Sequence, residues 1–325
     1  MSAVLVTGGA GYIGSHAALA LLGSGYQVVV LDDFSTGVRS LVPQGVQLFE
    51  GDVADRALTA RLLRSHAIGA VMHFAGSIIV PESVQNPTKY YRNNTAGTLA
   101  LLESCVEAEV RHFIFSSTAT LYAPSLEPMP ETFPTAPISP YGASKLFSER
   151  MIMDTAAAHP AFRPVCLRYF NVAGADPAGR SGQSGPQSTH LIRVAVETTL
   201  GRRPFLEVFG GDYPTRDGTG VRDYIHVSDL ADAHVAALRY LEEGGEPAIF
   251  NCGYGTGYTV LEVIAALERV TGAPLPTKLA PRRAGDPASL IADPTELARR
   301  TGWQPKHADL DAIVASALAW ARKSA

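Results

Sequence analysis

Tyr141 and Lys145 stand four positions apart in the run Pro140-Tyr141-Gly142-Ala143-Ser144-Lys145. On a helix that spacing puts both side chains on one face, one turn apart. A phenol gives up its proton near pH ~10 and is a poor base at neutrality. An ammonium beside it favours the phenolate and brings that value toward the working range. Alone, such a pair is equally compatible with an ordinary helical surface pair, so its meaning depends on what the chain places around it. Ser116-Ser117-Thr118 supplies hydroxyls at the carboxyl end of an apolar run, 113–116, where open α/β sheets bind their ligands.

A hydride acceptor is the other requirement. Residues 3–6 are apolar and β-branched, as in a buried parallel strand, and lead into Gly8-Gly9-Ala10-Gly11-Tyr12-Ile13-Gly14. Ile13, Ala17, Ala18, Leu21 and Leu22 then recur at helical spacing until Gly23-Ser24-Gly25, and a second apolar strand, 28–31, ends in Asp32-Asp33. Bare backbone at Gly8, Gly11 and Gly14 lets a pyrophosphate approach the helix N-terminus, whose amides and dipole favour anions. Asp32 follows Gly14 by about 18 residues, near the ~20 at which an acid grips an adenosine ribose. A carboxylate there repels a 2′-phosphate, which favours NAD over NADP. Strand, glycines, helix, strand and acid in this order outweigh the alternative of a purely structural glycine turn. With NAD at the strand ends, a Tyr base, a Lys below it and a hydroxyl beside it suit hydride transfer from a carbinol.

The elements that position these groups continue the α/β alternation. Strands are expected at 46–49, 70–74, 113–116 and 165–169, and helices at 55–66, from about 87 to 108, and from Pro140 onward. Ala75-Gly76, after the fourth strand, are small enough for a cofactor to lie against the strand end. The connection holding Pro124, Pro128, Pro130, Pro134 and Pro137 reads as extended loop. After Asn171 the composition shifts, and 174–187 reads as a long irregular segment. Helical spacing returns over 191–200, a strand follows at 206–209, and Ser228 is the expected cap of a helix over 229–241. A strand at 248–251 is expected to rejoin the first sheet; a helix at 260–271 and two C-terminal helices follow. The fold class is therefore α/β: a doubly wound Rossmann-type parallel sheet with a smaller mixed α/β C-terminal substrate domain. The boundaries drawn are 1–172 for the NAD-binding part, with about 221–252 returning to it, and 173–220 with 253–325 for the substrate part.

Composition excludes other classes. A chain of 325 residues that is 46% hydrophobic and 18% charged has the makeup of a globular protein with an ample core. A net charge of −4 points to neither a nucleic-acid nor a membrane-surface partner. Cys105, Cys166 and Cys252 lie far apart with no C-x-x-C pair, and the nine histidines show no ligand spacing, so neither disulfides nor a metal is expected. No apolar run approaches the ~20 residues needed to span a bilayer, and the N-terminus does not read as a signal peptide. The expected location is cytoplasmic.

The run Thr7-Gly8-Gly9-Ala10-Gly11-Tyr12-Ile13-Gly14, the Ser116-Ser117-Thr118 triplet and Tyr141-x-x-x-Lys145 resemble the extended short-chain dehydrogenase/reductase family. Further stretches, in order over essentially the whole chain, resemble its nucleotide-sugar 4-epimerases. They are His73-Phe74-Ala75-Gly76, Tyr90-Tyr91-Arg92-Asn93-Asn94, Arg168-Tyr169-Phe170-Asn171, the segment from Asp217 to Val227, and Pro281-Arg282-Arg283-Ala284-Gly285-Asp286. The resemblance implies a reaction without net redox change, the interconversion of UDP-glucose and UDP-galactose. Tyr141 would deprotonate the sugar 4-OH while the C4 hydride passes to tightly held NAD. The 4-keto sugar would then rotate and take the hydride back on its other face. Thr118 would hydrogen-bond the reacting oxygen, and Lys145 would hold the nicotinamide ribose and lower the Tyr141 pKa.

By the same resemblance NAD is expected on Gly8, Gly11, Tyr12, Ile13 and Gly14, along Asp32, Asp52, Val53, Phe74, Ala75 and Gly76, and near Asn93, Phe170, Tyr141 and Lys145. The UDP-sugar is expected on Thr118, Tyr141, Asn171, His190, Leu191, Arg222, Arg283 and Asp286. Two arginines suit a diphosphate, which needs fixed forked donors. A homodimer is implied, packing helices 87–108 and 140–158 of each subunit into a four-helix bundle. Two positions depart from the pattern: Ile78 stands where some members have lysine, and His190 where some have asparagine. Leu290 falls where a small residue admits N-acetylated sugars, so UDP-GlcNAc is expected to be a poor substrate. UDP-xylose/UDP-arabinose stays open as the substrate pair. A 4,6-dehydratase needs an Asp-Glu pair after the active-site Thr, where this chain has Ala119 and Thr120. A non-catalytic dinucleotide sensor would typically have lost the Tyr or Lys.

Overall fold

The computed structural model describes residues 3–185, 189–283 and 286–324. The chain begins β1 (Ala3–Thr7), α1 (Tyr12–Gly23), β2 (Val28–Asp32), β3 (Gln47–Glu50), α2 (Arg56–Ser65) and β4 (Ile68–His73). It continues through α3 (Val80–Gln85), α4 (Pro87–Tyr90), α5 (Gly97–Glu107), β5 (His112–Thr118), α6 (Pro140–Ala158), β6 (Arg163–Tyr169) and β7 (Asn171–Ala173). Then come α7 (Leu191–Thr199), β8 (Leu206–Phe209), β9 (Val221–His226), α8 (Val227–Glu242) and β10 (Ala248–Cys252). The last elements are β11 (Gly257–Thr259), α9 (Val260–Thr271), β12 (Thr277–Ala280), β13 (Ser289–Leu290), α10 (Thr295–Thr301) and α11 (Leu310–Lys323).

Seven parallel strands form the main sheet in the order β10-β6-β5-β4-β1-β2-β3. Every residue of β1 and β2 is buried, which is why these strands read as continuous apolar runs rather than as alternation. Helices α1 and α8 cover one face, where Leu21, Val30, Ile114, Leu230 and Leu238 share a core. Helices α2, α5 and α6 cover the other, with Leu31, Leu62, Leu101, Phe113 and Ile152 between them and the sheet. Each such fully buried side chain stabilises the fold by about 1.5–3 kcal/mol. The strand order reverses between β1 and β4, and ligands of doubly wound sheets bind at the carboxyl ends beside that point.

The rest of the chain builds a smaller body on the carboxyl ends. β9 pairs with β7, β11 and β13, and β8 pairs with β12. A separate core joins α7, α9 and α11 through Ile192, Val263, Leu267 and Ile313. β10 lies at the edge of the large sheet, paired with β6, and α8 packs against that sheet, while β9 belongs to the smaller sheet.

Two local expectations are corrected. The helix from 87 to 108 is not uniform: α4 and α5 flank a π-helical turn, Tyr91–Ala96, a widening that hydropathy spacing does not reveal and that is frequent at functional sites. Helix α8 is capped by His226, whose Nδ1 accepts the Ser228 amide at 3.1 Å, so Ser228 lies inside the helix it was expected to cap. The irregular segment carries neither helix nor strand from 174 to 185; Pro186, Gln187, Ala284 and Gly285, which fall in stretches singled out above, lie outside the described residues.

Candidate active site

Helix α6 delivers Tyr141 and Lys145. Ser139 caps it, its side chain accepting the Gly142 amide at 3.2 Å, and Pro140 opens the first turn. A Cβ on Gly142 would stand 2.7 Å from the Thr120 carbonyl, so only glycine lets the helix start approach the end of β5 this closely. That approach brings Tyr141 beside Thr118, whose hydroxyl accepts the Thr120 amide at 3.2 Å. Burial pushes the Tyr141 phenol up to about 12, and the Thr118 hydrogen bond pulls it back. Lys145, 3% exposed, donates to the Ser116 carbonyl at 2.8 Å and lies over the Phe115 ring, 4.7 Å from its centroid. Burial lowers its ammonium to about 8, opposed first by the Glu149 carboxylate. In this arrangement Thr118 supplies a downward pull on Tyr141.

The glycines form a cradle. Gly8 has φ +70, and a Cβ there would lie 2.6 Å from the Ala75 amide nitrogen. A Cβ on Gly14 would lie 2.2 Å from the Gly8 carbonyl oxygen, so the helix rests directly on the turn. Gly11 caps α1 without any side-chain hydrogen bond, leaving the first-turn amides of Tyr12 and Ile13 to meet an anion. The Tyr12 hydroxyl donates to the Gly174 carbonyl at 2.6 Å, tying this helix to the smaller body. Asp32 accepts the Ala10 and Phe34 amides, each at 2.9 Å; burial raises its carboxyl and these bonds oppose the rise. On the β4 side the Phe74 amide donates to Thr7 at 3.0 Å, and a Cβ on Gly76 would come within 3.7 Å of Lys145 Nζ. The residues present therefore fit a dinucleotide lying from the Gly8–Gly14 turn across Gly76 toward Lys145. Val53 is buried beside Gly97. Asp52 is exposed and accepts the Ala54 amide at 2.9 Å.

The π-helical turn supplies Asn93 and a neighbour that the sequence argument did not assign. Asn93 donates to the Ser77 hydroxyl at 2.9 Å. Asn94, 2% exposed, accepts the Ser77 amide at 2.7 Å and donates to the Ser77 carbonyl and to Ser144 Oγ, each at 3.0 Å. It thus fixes the loop after Gly76 to the residue preceding Lys145. The Asn93-Asn94 doublet was the available signal, but side-chain direction within a widened helical turn is not legible from spacing.

The smaller body brings the remaining residues to the same end of the sheet. Asn171, His190 and Leu191 line one cleft with Tyr224 and Trp320; His190 is exposed, and its Nδ1 lies 3.0 Å from Gln183 Nε2. Arg222 on β9 bonds the Asp286 carboxylate, and its Nη2 donates to the Pro287 carbonyl at 2.8 Å. Arg283 stacks on Phe209, 3.8 Å from the ring centroid. Leu290 stands in register with Arg222 and packs with Phe170, Leu121 and Tyr122, which links the arginine cluster to the Thr118 strand end. Ile78 is 56% exposed. Among the described residues no group of three or more His, Cys, Asp or Glu is placed to hold a metal ion.

A doubly wound sheet, a glycine cradle at its switch point and a Tyr–Thr–Lys cluster beside it define a nicotinamide-dinucleotide enzyme of the Rossmann class. The profile of the NAD dependent epimerase/dehydratase family matches residues 4–253. A UDP-glucose 4-epimerase of Azospirillum brasilense is 56% identical over 98% of this chain and 92% of its own length. The crystal structure of UDP-glucose 4-epimerase from Brucella ovis in complex with NAD superposes with a TM-score of 0.94 at 45% identity, covering 98% of each chain. That of the Bifidobacterium longum enzyme in complex with NAD+ and UDP gives 0.93 at 40% identity, covering 99% of this chain and 98% of the other. The chain belongs to the NAD dependent epimerase/dehydratase family.

Proposed function

We propose that the protein interconverts UDP-glucose and UDP-galactose by NAD-dependent oxidation and re-reduction at C4. The observation that carries this is Tyr141, beside Thr118 and one turn from Lys145, at the strand ends beside the Gly8–Gly14 cradle. The close likeness of the whole chain to UDP-glucose 4-epimerases supports the choice of sugar.

Bound NAD supplies a hydride acceptor that also returns the hydride. The chain's own groups move the proton and hold the sugar. Tyr141 takes the proton of the 4-OH and gives it back to the same oxygen when the hydride returns to the other face of C4; Thr118 bonds that oxygen and keeps it oriented. Burial holds the unliganded phenol at about 12, so at neutral pH Tyr141 begins as the acid form and acts as a base only beside concentrated positive charge. The Lys145 ammonium is the chain's contribution to that charge. Arg222 and Arg283 bind the diphosphate, with Asp286 orienting the first, and Asn171, His190 and Leu191 line the path between diphosphate and sugar. Anchoring the diphosphate while leaving the hexose loosely held lets the 4-keto sugar turn over without dissociating. Leu290, buried opposite Arg222, narrows the space for a 2-acetamido group.

The enzyme is read as a cytoplasmic homodimer joined through a four-helix bundle. Tyr91, Leu99 and Phe147 support this: they are large exposed apolar side chains on the two helical segments concerned, and the Tyr91 and Phe147 rings lie 6.0 Å apart. A coupled assay across UDP-glucose, UDP-galactose, UDP-xylose and UDP-GlcNAc, with no NAD added, tests the proposal. Turnover of the two hexoses with little on UDP-GlcNAc is expected. A preference for UDP-xylose, or no turnover on any of the four, would overturn the substrate assignment.

A further inference from the structure

Glu149 lies one turn beyond Lys145 on α6 and is 2% exposed. Its Oε1 accepts the Ser117 hydroxyl and Arg168 Nε, the latter at 3.0 Å, and its Oε2 accepts Arg168 Nη2 at 2.7 Å. Arg168, 4% exposed, also donates through Nη1 to the Tyr122 hydroxyl at 2.9 Å and the Glu131 carbonyl at 3.1 Å. Ser117 sits between Ser116, whose carbonyl receives Lys145, and Thr118, which meets Tyr141. Arg168 precedes Tyr169, whose hydroxyl bonds that of Ser116. One carboxylate thus joins α6, β5 and β6 at the level of the reactive groups.

A buried ion pair contributes little net stability, because desolvation offsets its Coulomb attraction. Its position beside the lysine is the more informative fact. The titratable and charged groups near Lys145 are Tyr141 and Glu149 from α6, Cys166 and Arg168 from β6 and His73 from β4, while β5 offers it the Ser116 carbonyl and the Phe115 ring. Burial pushes the Cys166 thiol and the Tyr141 phenol up and the His73 imidazole down to about 3, so all three are neutral near pH 7. Glu149 is the member of this group held in an ion pair, 2.7 Å from Arg168 Nη2.

We propose that Glu149 is a positioning residue for the reaction: aimed by Arg168, its carboxylate holds Lys145 as the ammonium and ties Ser117, and with it Thr118, to the helix bearing Tyr141. This rests on the C4 oxidation described above. The NAD-loaded protein is assayed on UDP-galactose across pH. In Glu149→Gln the alkaline limb of kcat moves down by about one pH unit, a roughly tenfold loss at the alkaline edge, while KM changes less than about twofold. Glu149→Asp, which restores the charge, brings the limb back. Because Glu149→Gln leaves the Arg168 charge unpaired, the double variant Glu149→Gln/Arg168→Gln is measured beside it and shows a shift in the same direction. Independently of turnover, 13C NMR of labelled lysine follows the Lys145 Cε titration, whose midpoint falls in both variants. One alkaline limb and one Lys145 midpoint shared by wild type and both variants would overturn the proposal. Inactivity of the wild type on UDP-galactose would instead refute the C4 reading and leave the Lys145 midpoint to decide the role of Glu149.

Discussion

The Lys145 ammonium donates to the backbone carbonyl of Ser116 at 2.8 Å, two residues before Thr118 on the same strand. A backbone acceptor holds the charge at a fixed height above the sheet, so the helix bearing Tyr141 is tied to the strand bearing Thr118 and the two hydroxyls lie side by side. The phenol is therefore positioned before substrate arrives, and its protonation depends on the groups around it.

Thr118→Ala removes the hydroxyl that pulls Tyr141 down. The phenol then rises further above about 12, less phenolate is available at a given pH, and the acid limb of kcat moves to higher pH. Hydrogen bonds to charged groups contribute about 1.5–3 kcal/mol, so kcat falls about 10- to 100-fold at neutral pH with a smaller change in KM. Thr118→Ser restores most of it. Steady-state kinetics across pH checks both the size and the direction.

Gly14→Ala drives a methyl group to within 2.2 Å of the Gly8 carbonyl, backbone that has no flexible end to move aside. The N-terminus of α1 must shift off the glycine turn, and the NAD retained through purification falls at least about tenfold. Gly23→Ala, with nothing within 4 Å of the added Cβ, is the matched control. It leaves the cofactor in place and gains up to about 1 kcal/mol from helix propensity. Cofactor content by absorbance and thermal melting separate the two variants.

Asp223 is fully buried, and its carboxylate accepts the amides of Tyr254 at 3.0 Å, Gly255 at 2.9 Å and Ala292 at 3.3 Å. Burial raises its pKa from 3.8 to about 6. Between those values the folded chain keeps a proton that the unfolded chain has lost, so this residue's contribution to stability falls as pH rises through that window and is level above it. Asp223→Ala leaves amides unsatisfied and lowers stability by about 1–3 kcal/mol. The difference in melting temperature between wild type and variant should narrow as pH rises from about 4 to 6.

Much of the main sheet is legible in the chain because buried parallel strands are continuous apolar runs and Gly8, Gly11 and Gly14 mark the first turn. The return of β10 beside β6 was readable for the same reason. The smaller sheet was not: β7, β11 and β13 have three, three and two residues, too short for any periodicity, and they exist because β9 offers them edges to pair with. Of the candidate site, Tyr141, Thr118 and the glycines follow from chemistry and spacing. Asn94, Glu149 and Arg168 do not, since their roles depend on which atoms meet across α6, β5 and the π-helical turn. The placement of Thr118 beside Tyr141, and the aim of Lys145 at a carbonyl, likewise arise only in three dimensions.

In the proposed reaction one hydride leaves C4 and returns to C4 of the same sugar, with Tyr141 shuttling the proton. UDP-galactose deuterated at C4, incubated with the purified protein and no added NAD, tests it most directly. The expected product is UDP-glucose with deuterium retained at C4, with no conversion by Tyr141→Phe protein that still carries its cofactor. Deuterium lost to solvent, or undiminished turnover in Tyr141→Phe, would contradict it.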